Sequence, residues 1–109
     1  MKNKSRFIAN KPNPYHIVNA KTYLVNIDYI SNTKDHDYLY STPKYDKIKQ
    51  LNELYKQGHD IHYWTNRRGI DRYQRYNFLT YRQLNEWKAL YCSLSIGKPK
   101  FNTHVYELS

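Results

Sequence analysis

Arginine is concentrated in one stretch, where Arg67, Arg68, Arg72, Arg75 and Arg82 make up five of the chain's six. Tyr73, Tyr76, Phe78 and Tyr81 are interleaved with them. A guanidinium forks onto phosphate and an aromatic ring stacks on an unpaired base, so this alternation suits contact with nucleic acid. An acidic protein surface is the next partner it fits. Tyrosine is abundant throughout, with 13 residues, so some of these rings must serve the core.

Other reactive side chains form no comparable group. Asp35, His36 and Asp37 are adjacent, and neighbouring residues rarely converge on one ion, so they read as a solvated loop. His59 and His62 fall on opposite sides of a strand and cannot share a metal simply. Cys92 is the only cysteine, which rules out an internal disulfide and fits a reducing compartment. It lies in an apolar run and reads as a small buried side chain. No Ser/His/Asp or Cys/His signature for nucleophilic catalysis is present.

The balance of 18 Lys and Arg against 9 Asp and Glu leaves a net charge of +9. Such a surface attracts nucleic acid, an anionic membrane or an acidic protein. Residues 1–21 hold Lys2, Lys4, Arg6, Lys11 and Lys21 and no acid. They read as a basic N-terminal arm, kept extended by Pro12 and Pro14 and docked on its own domain or on a partner. No run approaches the roughly 20 apolar residues of a membrane span, and no apolar signal segment stands at the start. The expectation is an intracellular, cytoplasmic protein with no membrane partner.

These residues need a scaffold, and hydrophobic periodicity outlines one. Tyr23, Leu24, Val25, Ile27 and Ile30 form an apolar run, the pattern of a strand covered on both faces. After a polar loop over 31–42, Thr42 as N-cap and Pro43 at the first helical position predict a helix start. Ile48, Leu51, Leu54 and Tyr55 recur at helical spacing, and Gly58 supplies the stop. Residues 60–65 read as a second strand. Thr80 and Gln83 form a capping box that starts a second helix, with Leu84, Trp87 and Tyr91 as its apolar stripe. Residues 92–96 and 103–107 are the third and fourth strands.

Strands alternating with single helices predict a parallel α/β sheet in one small domain. The connection from Gly97 to Phe101 is too short for a parallel crossover, which needs about a dozen residues. With no closing helix after the last strand, one sheet face or edge is expected to be left for a partner to cover.

From Thr22 to Ser109 the order of landmarks resembles the small, cap-less phosphatases of the haloacid dehalogenase superfamily. The residues that carry the likeness are the strand TYLVNIDYIS at 22–31, the helix KIKQLNELYKQGHDI, and the strand HYWTNR with Thr65. LTYRQLNEW and Gly97-Lys98-Pro99 before a final strand complete it. The resemblance implies a small Rossmann-like, three-layer domain with a short, mostly parallel sheet over 22–109, following the arm 1–21.

It also implies a site. In that family the strand ends in Asp-x-Asp-Gly-Thr, and its first Asp attacks phosphorus. Here Asn26 stands in that place, Asp28 keeps the second acid, and Tyr29 and Ile30 replace Gly and Thr. By the same likeness Thr65 and Lys98 would hold phosphoryl oxygens. Tyr106 and Glu107 stand where paired acids would complete a Mg²⁺ site. A neutral amide neither attacks phosphorus nor forms an acyl-phosphate. Mg²⁺ prefers carboxylate oxygen, so Asn26 weakens one ligand and Tyr106 removes another, leaving Asp28 and Glu107. Tyr29 would put a phenol ring where phosphate sits.

The expected protein is therefore a phosphatase-like domain without catalysis or cofactor, a binding or structural piece of a larger complex. Its contacts with nucleic acid or an acidic surface would come from Lys2, Lys4, Arg6, Lys11, Arg67, Arg68, Arg72, Tyr73, Arg75 and Tyr76. The alternative is a Mg²⁺-dependent phosphatase that works with Asp28 and Glu107. A third possibility is a pseudoenzyme that still binds a phosphorylated ligand through Thr65 and Lys98.

Overall fold

The computed structural model describes residues 6–34, 37–67 and 75–109. Its centre is a five-stranded sheet built from β1 (Arg6–Asn10), β2 (Thr22–Asn26), β5 (Asp60–Thr65), β6 (Ser93–Ile96) and β7 (Tyr106–Leu108). The order across the sheet is β1-β6-β5-β2-β7. β6, β5, β2 and β7 run parallel, and β1 lies antiparallel on β6. The chain is thus α/β with a mixed, mostly parallel sheet.

The arm is part of this sheet. Arg6–Asn10 shows no apolar alternation, yet it forms the edge strand, because main-chain pairing with β6 requires no particular side chains. The stretch that follows is fastened by Asn13, which is buried. Its Nδ2 donates to the carbonyls of Tyr55 and His59 at 2.9 and 2.8 Å. Those carbonyls lie at and beyond the end of α2 (Tyr45–Lys56), where the Tyr55 carbonyl also accepts the Gly58 N–H at 3.0 Å. Gly58 closes the same joint at φ +104°, and a Cβ there would stand 2.6 Å from Ile17 Cγ2 and from the Tyr15 carbonyl oxygen.

Two corrections concern helix starts. Thr42–Pro43 is not the opening of α2 but β4, which pairs antiparallel with β3 (Ser31–Asn32). Lys44 is the N-cap of α2, and it has no side-chain cap bond. α3 spans Arg75–Glu86, so Thr80 and Gln83 lie inside it rather than capping it. Both are buried, and their polar ends turn to Arg67. Helix stripes were legible where burial is apolar: Ile48, Leu51 and Tyr55 of α2, and Leu84 of α3 with Trp87 just beyond it, join Val25, Ile61, Tyr63 and Leu94 in one core. Each such aliphatic burial is worth about 1.5–3 kcal/mol.

Successive crossovers in one direction put both long helices on the same sheet face. The expected third layer is absent among the described residues. Leu24, His62, Trp64, Ser93 and Ser95 alternate to the other face, where Phe101 packs on His62 with centroids 4.7 Å apart. The last strand begins at Tyr106 rather than at 103, so residues 97–105 are free to cross from β6 to β7. That link is longer than the expected one from Gly97 to Phe101, still shorter than the roughly dozen residues of a helical crossover, and it carries no helix.

Candidate functional site

β2 lies inside the sheet between β5 and β7, and the chain steps from it to β5 and β6 on one side before returning to β7 on the other. In open α/β sheets such a reversal leaves a crevice at the carboxyl ends of the strands, the usual place for a ligand. Asn26 stands there. It ends β2, and its side-chain oxygen accepts the backbone N–H of Asp28 at 2.9 Å. Asn26 is therefore the N-cap of α1 (Ile27–Ile30), a single turn that replaces the expected continuation of the strand. Asn and Asp are both strong caps, so the turn tolerates either side chain while only the carboxylate could act as a nucleophile.

The turn sorts the residues that follow. Ile27 and Ile30 enter the core, and Asp28 is exposed. Lys44 Nζ lies 3.5 Å from the Asp28 backbone carbonyl. Tyr29 is half-buried against the core, with Lys47 Nζ of α2 5.1 Å from its ring centroid. Thr65, also buried, uses its hydroxyl to accept the backbone N–H of Arg67 at 3.0 Å, capping the turn after β5. Lys98 and Glu107 do meet, but as an ion pair with both side chains about half exposed. Tyr106 opens β7 beside Tyr23, toward the amino end and away from Asn26, so the donors left to a Mg²⁺ ion are the Asp28 carboxylate, an amide already used as a cap and a carboxylate already neutralised. That set does not fit a hard dication. No cluster of three acids, histidines or cysteines suited to a metal occurs among the described residues.

Arg67 is a correction to the surface reading. It is only 2 % exposed and so is withdrawn from any solvent-facing contact. Nη1 donates to Thr80 Oγ1 at 3.2 Å and to Gln83 Oε1 at 2.5 Å, and Nη2 donates to Ser41 Oγ at 3.0 Å. The guanidinium lies 4.9 Å from the Tyr38 ring centroid, and Gln83 Nε2 donates to the Tyr38 carbonyl at 2.7 Å. These bonds tie the 3₁₀ turn Tyr38–Tyr40, the end of β5 and the middle of α3 into one polar knot. Every acceptor is neutral. Burial pulls the guanidinium below its ordinary value, opposed by Asp28 and then Tyr38. Its Nε is buried with no hydrogen-bond partner among the described residues.

The remaining predicted contacts divide three ways. Lys2, Lys4, Arg68, Arg72 and Tyr73 lie outside the described residues, as do Asp35 and His36 of the acidic loop. Arg6 opens β1, and Arg75 and Tyr76 open α3. Lys11 is exposed, and its backbone N–H donates to the Cys92 carbonyl at 2.7 Å. Phe78 and Tyr81 are exposed on α3, while Arg82 pairs with Glu86 one turn on at 3.5 Å.

At the opposite, amino end of the strands a cavity of about 460 Å³ is lined by Lys11, Asn13, His16, Asp60, His62 and Cys92 among others. Asp60 Oδ1 is 3.2 Å from His16 Nδ1 and accepts the Cys92 thiol at 3.6 Å. Burial, with the Asp60 charge adding, pushes that thiol up to about 11, which makes it a poor nucleophile. Burial also pulls His62 down, Asp60 opposing. This end carries a second feature that the sequence reading missed, a row of rings. His59, Tyr23, Tyr106 and His104 follow one another with centroid separations of 6.2, 5.4 and 4.8 Å. The signal was the rise of aromatic and imidazole residues at the starts of three strands, which only their adjacency in the sheet brings together.

No helix among the described residues is long and apolar enough to cross a membrane. No family model matches the chain, and neither a curated protein nor a solved structure is similar to it.

Proposed function

We propose that the chain is a non-catalytic domain of the haloacid dehalogenase type, a binding or structural component of an assembly that contacts nucleic acid or another polyanion. The observation that carries this reading is Asn26. A neutral amide ends β2 at the sheet's reversal point, and its oxygen is occupied as a helix cap. The likeness to that superfamily is supported by position: the run ending at Asn26 is an interior strand between β5 and β7, and Thr65 ends its parallel neighbour. The loss of catalysis and of the Mg²⁺ site is supported by the donor set, in which Asn26 is a capping amide, Tyr106 lies away from it beside Tyr23, and Glu107 is held by Lys98. Contact with a polyanion is supported by the net charge of +9.

The test is turnover of a generic phosphate ester with Mg²⁺. The expected result is none in the wild type, with partial gain only when Asn26→Asp, Tyr29→Gly, Ile30→Thr and Tyr106→Asp are combined. Wild-type turnover that requires Mg²⁺ and disappears in Asn26→Ala overturns the reading in favour of a phosphatase. Binding of a nucleic acid that falls steeply with salt supports the polyanion partner, because each neutralised phosphate releases a counterion. A flat salt response points to a protein partner instead.

A further inference from the structure

We infer that the row of rings at the amino ends of β2, β5 and β7 is a site for unpaired nucleic acid, with bases stacked on Tyr106 and His104 and a phosphate held at Lys21. This rests on the polyanion reading above and assigns it a place that the arginine-rich stretch does not occupy. Tyr23 and Tyr106 are register partners on adjacent parallel strands, which brings their rings to 5.4 Å at a tilt of 31°. His104 meets Tyr106 nearly at right angles, and His59 supports Tyr23 from the other end. His59 is itself held, its Nδ1 accepting the Lys21 backbone N–H at 3.0 Å.

Tyr106 is 43 % exposed, and His104 is exposed beside it. Lys21 Nζ lies 5.7 Å from the Tyr106 ring centroid. The acids that could cancel this charge are committed elsewhere. Asp60 faces His16 and Cys92, and Glu107 alternates to the other sheet face and pairs with Lys98. A cation beside exposed rings, with neither Asp60 nor Glu107 left to neutralise it among the described residues, matches the two things a single strand presents: a phosphate and a π-face. An acidic peptide finds less here, because its carboxylates gain nothing from the ring faces and the ammonium is a lone point charge. A duplex keeps its bases stacked and is the poorer ligand.

The experiment titrates the full chain with a labelled oligothymidylate and, separately, with heparin, which has charge but no bases, at several salt concentrations. Tyr106→Ala and His104→Ala should each weaken oligothymidylate binding about tenfold while leaving the salt slope and heparin binding unchanged. Tyr106→Phe should bind as the wild type does. Lys21→Gln should lower the log–log salt slope by about 0.7, one phosphate contact. Thermal melts establish that each variant is folded, and His104→Ala lies outside the strand, so it serves if Tyr106→Ala does not fold. Wild-type affinity in folded His104→Ala and Tyr106→Ala overturns the inference alone. An equal loss for heparin overturns it as well, by making the row a charge site only. Failure of the wild type to bind either polyanion removes both this inference and the polyanion partner.

Discussion

The two ends of the sheet hold positive charge in opposite ways. At the carboxyl ends, Arg67 is turned inward and shared among Ser41, Thr80 and Gln83, and Lys98 is paired with Glu107. At the amino ends, Lys21 remains exposed beside Tyr106, while Asn13 and Gly58 fasten the chain beneath it with neutral groups. Where a phosphatase would need a free cation for its substrate, this chain has used its cations to hold itself together. A surface free to bind lies at the end where neutral bonds do the holding.

The largest test of that contrast is Arg67→Met. It keeps the apolar length and removes the guanidinium, taking one donor each from half-buried Ser41 and from buried Thr80 and Gln83. The expected loss is about 3 kcal/mol in denaturant unfolding. Arg67→Lys should recover little, since one ammonium cannot reproduce the fork. Near-wild-type stability in Arg67→Met would mean that the knot is incidental, and the contrast would break.

Asn13→Ala is the matching test at the amino end. It takes a donor from the carbonyls of Tyr55 and His59, the first of which keeps the Gly58 N–H, and should cost about 1–2 kcal/mol, read from the shift in the denaturation midpoint at unchanged slope. The same variant should not alter oligothymidylate binding at temperatures where it stays folded.

A smaller effect is set by pH. The Cys92 thiol is pushed up to about 11 from an ordinary 9.0, burial being the main cause. The unfolded chain therefore releases this proton first as pH rises. The contribution is fully present below pH 9 and is lost between 9 and 11, about 1.4 kcal/mol having gone by pH 10. The stability of Cys92→Ala should decline less over that window. Burial also raises Tyr91, from an ordinary 10.0 to about 12, and Tyr63 further, so both proteins should lose additional stability from about pH 10 upward. Superimposable pH profiles would contradict the burial of the thiol.

The smallest effect belongs to Lys98→Ala. Its pair with Glu107 is half exposed, so stability should change by less than about 0.5 kcal/mol. Phosphate binding by calorimetry should be unaffected as well. A lost phosphate site in Lys98→Ala would show that the pair opens for a ligand and would favour a pseudoenzyme that still holds phosphorylated groups.

Residues whose role is apolar were legible early. The stripes through Ile48, Leu51 and Tyr55 and through Leu84 and Trp87, and the strand at 60–65, follow from periodicity because burial there needs no partner of particular chemistry. The polar signals misled where a bond could be made at long range. Thr80 and Gln83 have the spacing of a capping box, yet their partner is a guanidinium 13 and 16 positions away. Thr42-Pro43 has the form of a helix start, but pairing with Ser31–Asn32 claims it as a strand. Arg67 looked like surface because it stands among arginines, and burial cannot be read from its neighbours in sequence.

What the amino-acid sequence determined by itself is the class and the charge: single helices between strands, a parallel sheet, and a surface of net +9, each of which depends on local pattern or on a count. The tertiary structure alone decided which cations stay exposed, that Arg6–Asn10 completes the sheet, and that His59, Tyr23, Tyr106 and His104 stand in a row. The reason is physical. A hydrogen bond, an ion pair or a ring contact is fixed by distance in space, and strands brought side by side join residues that the sequence holds tens of positions apart.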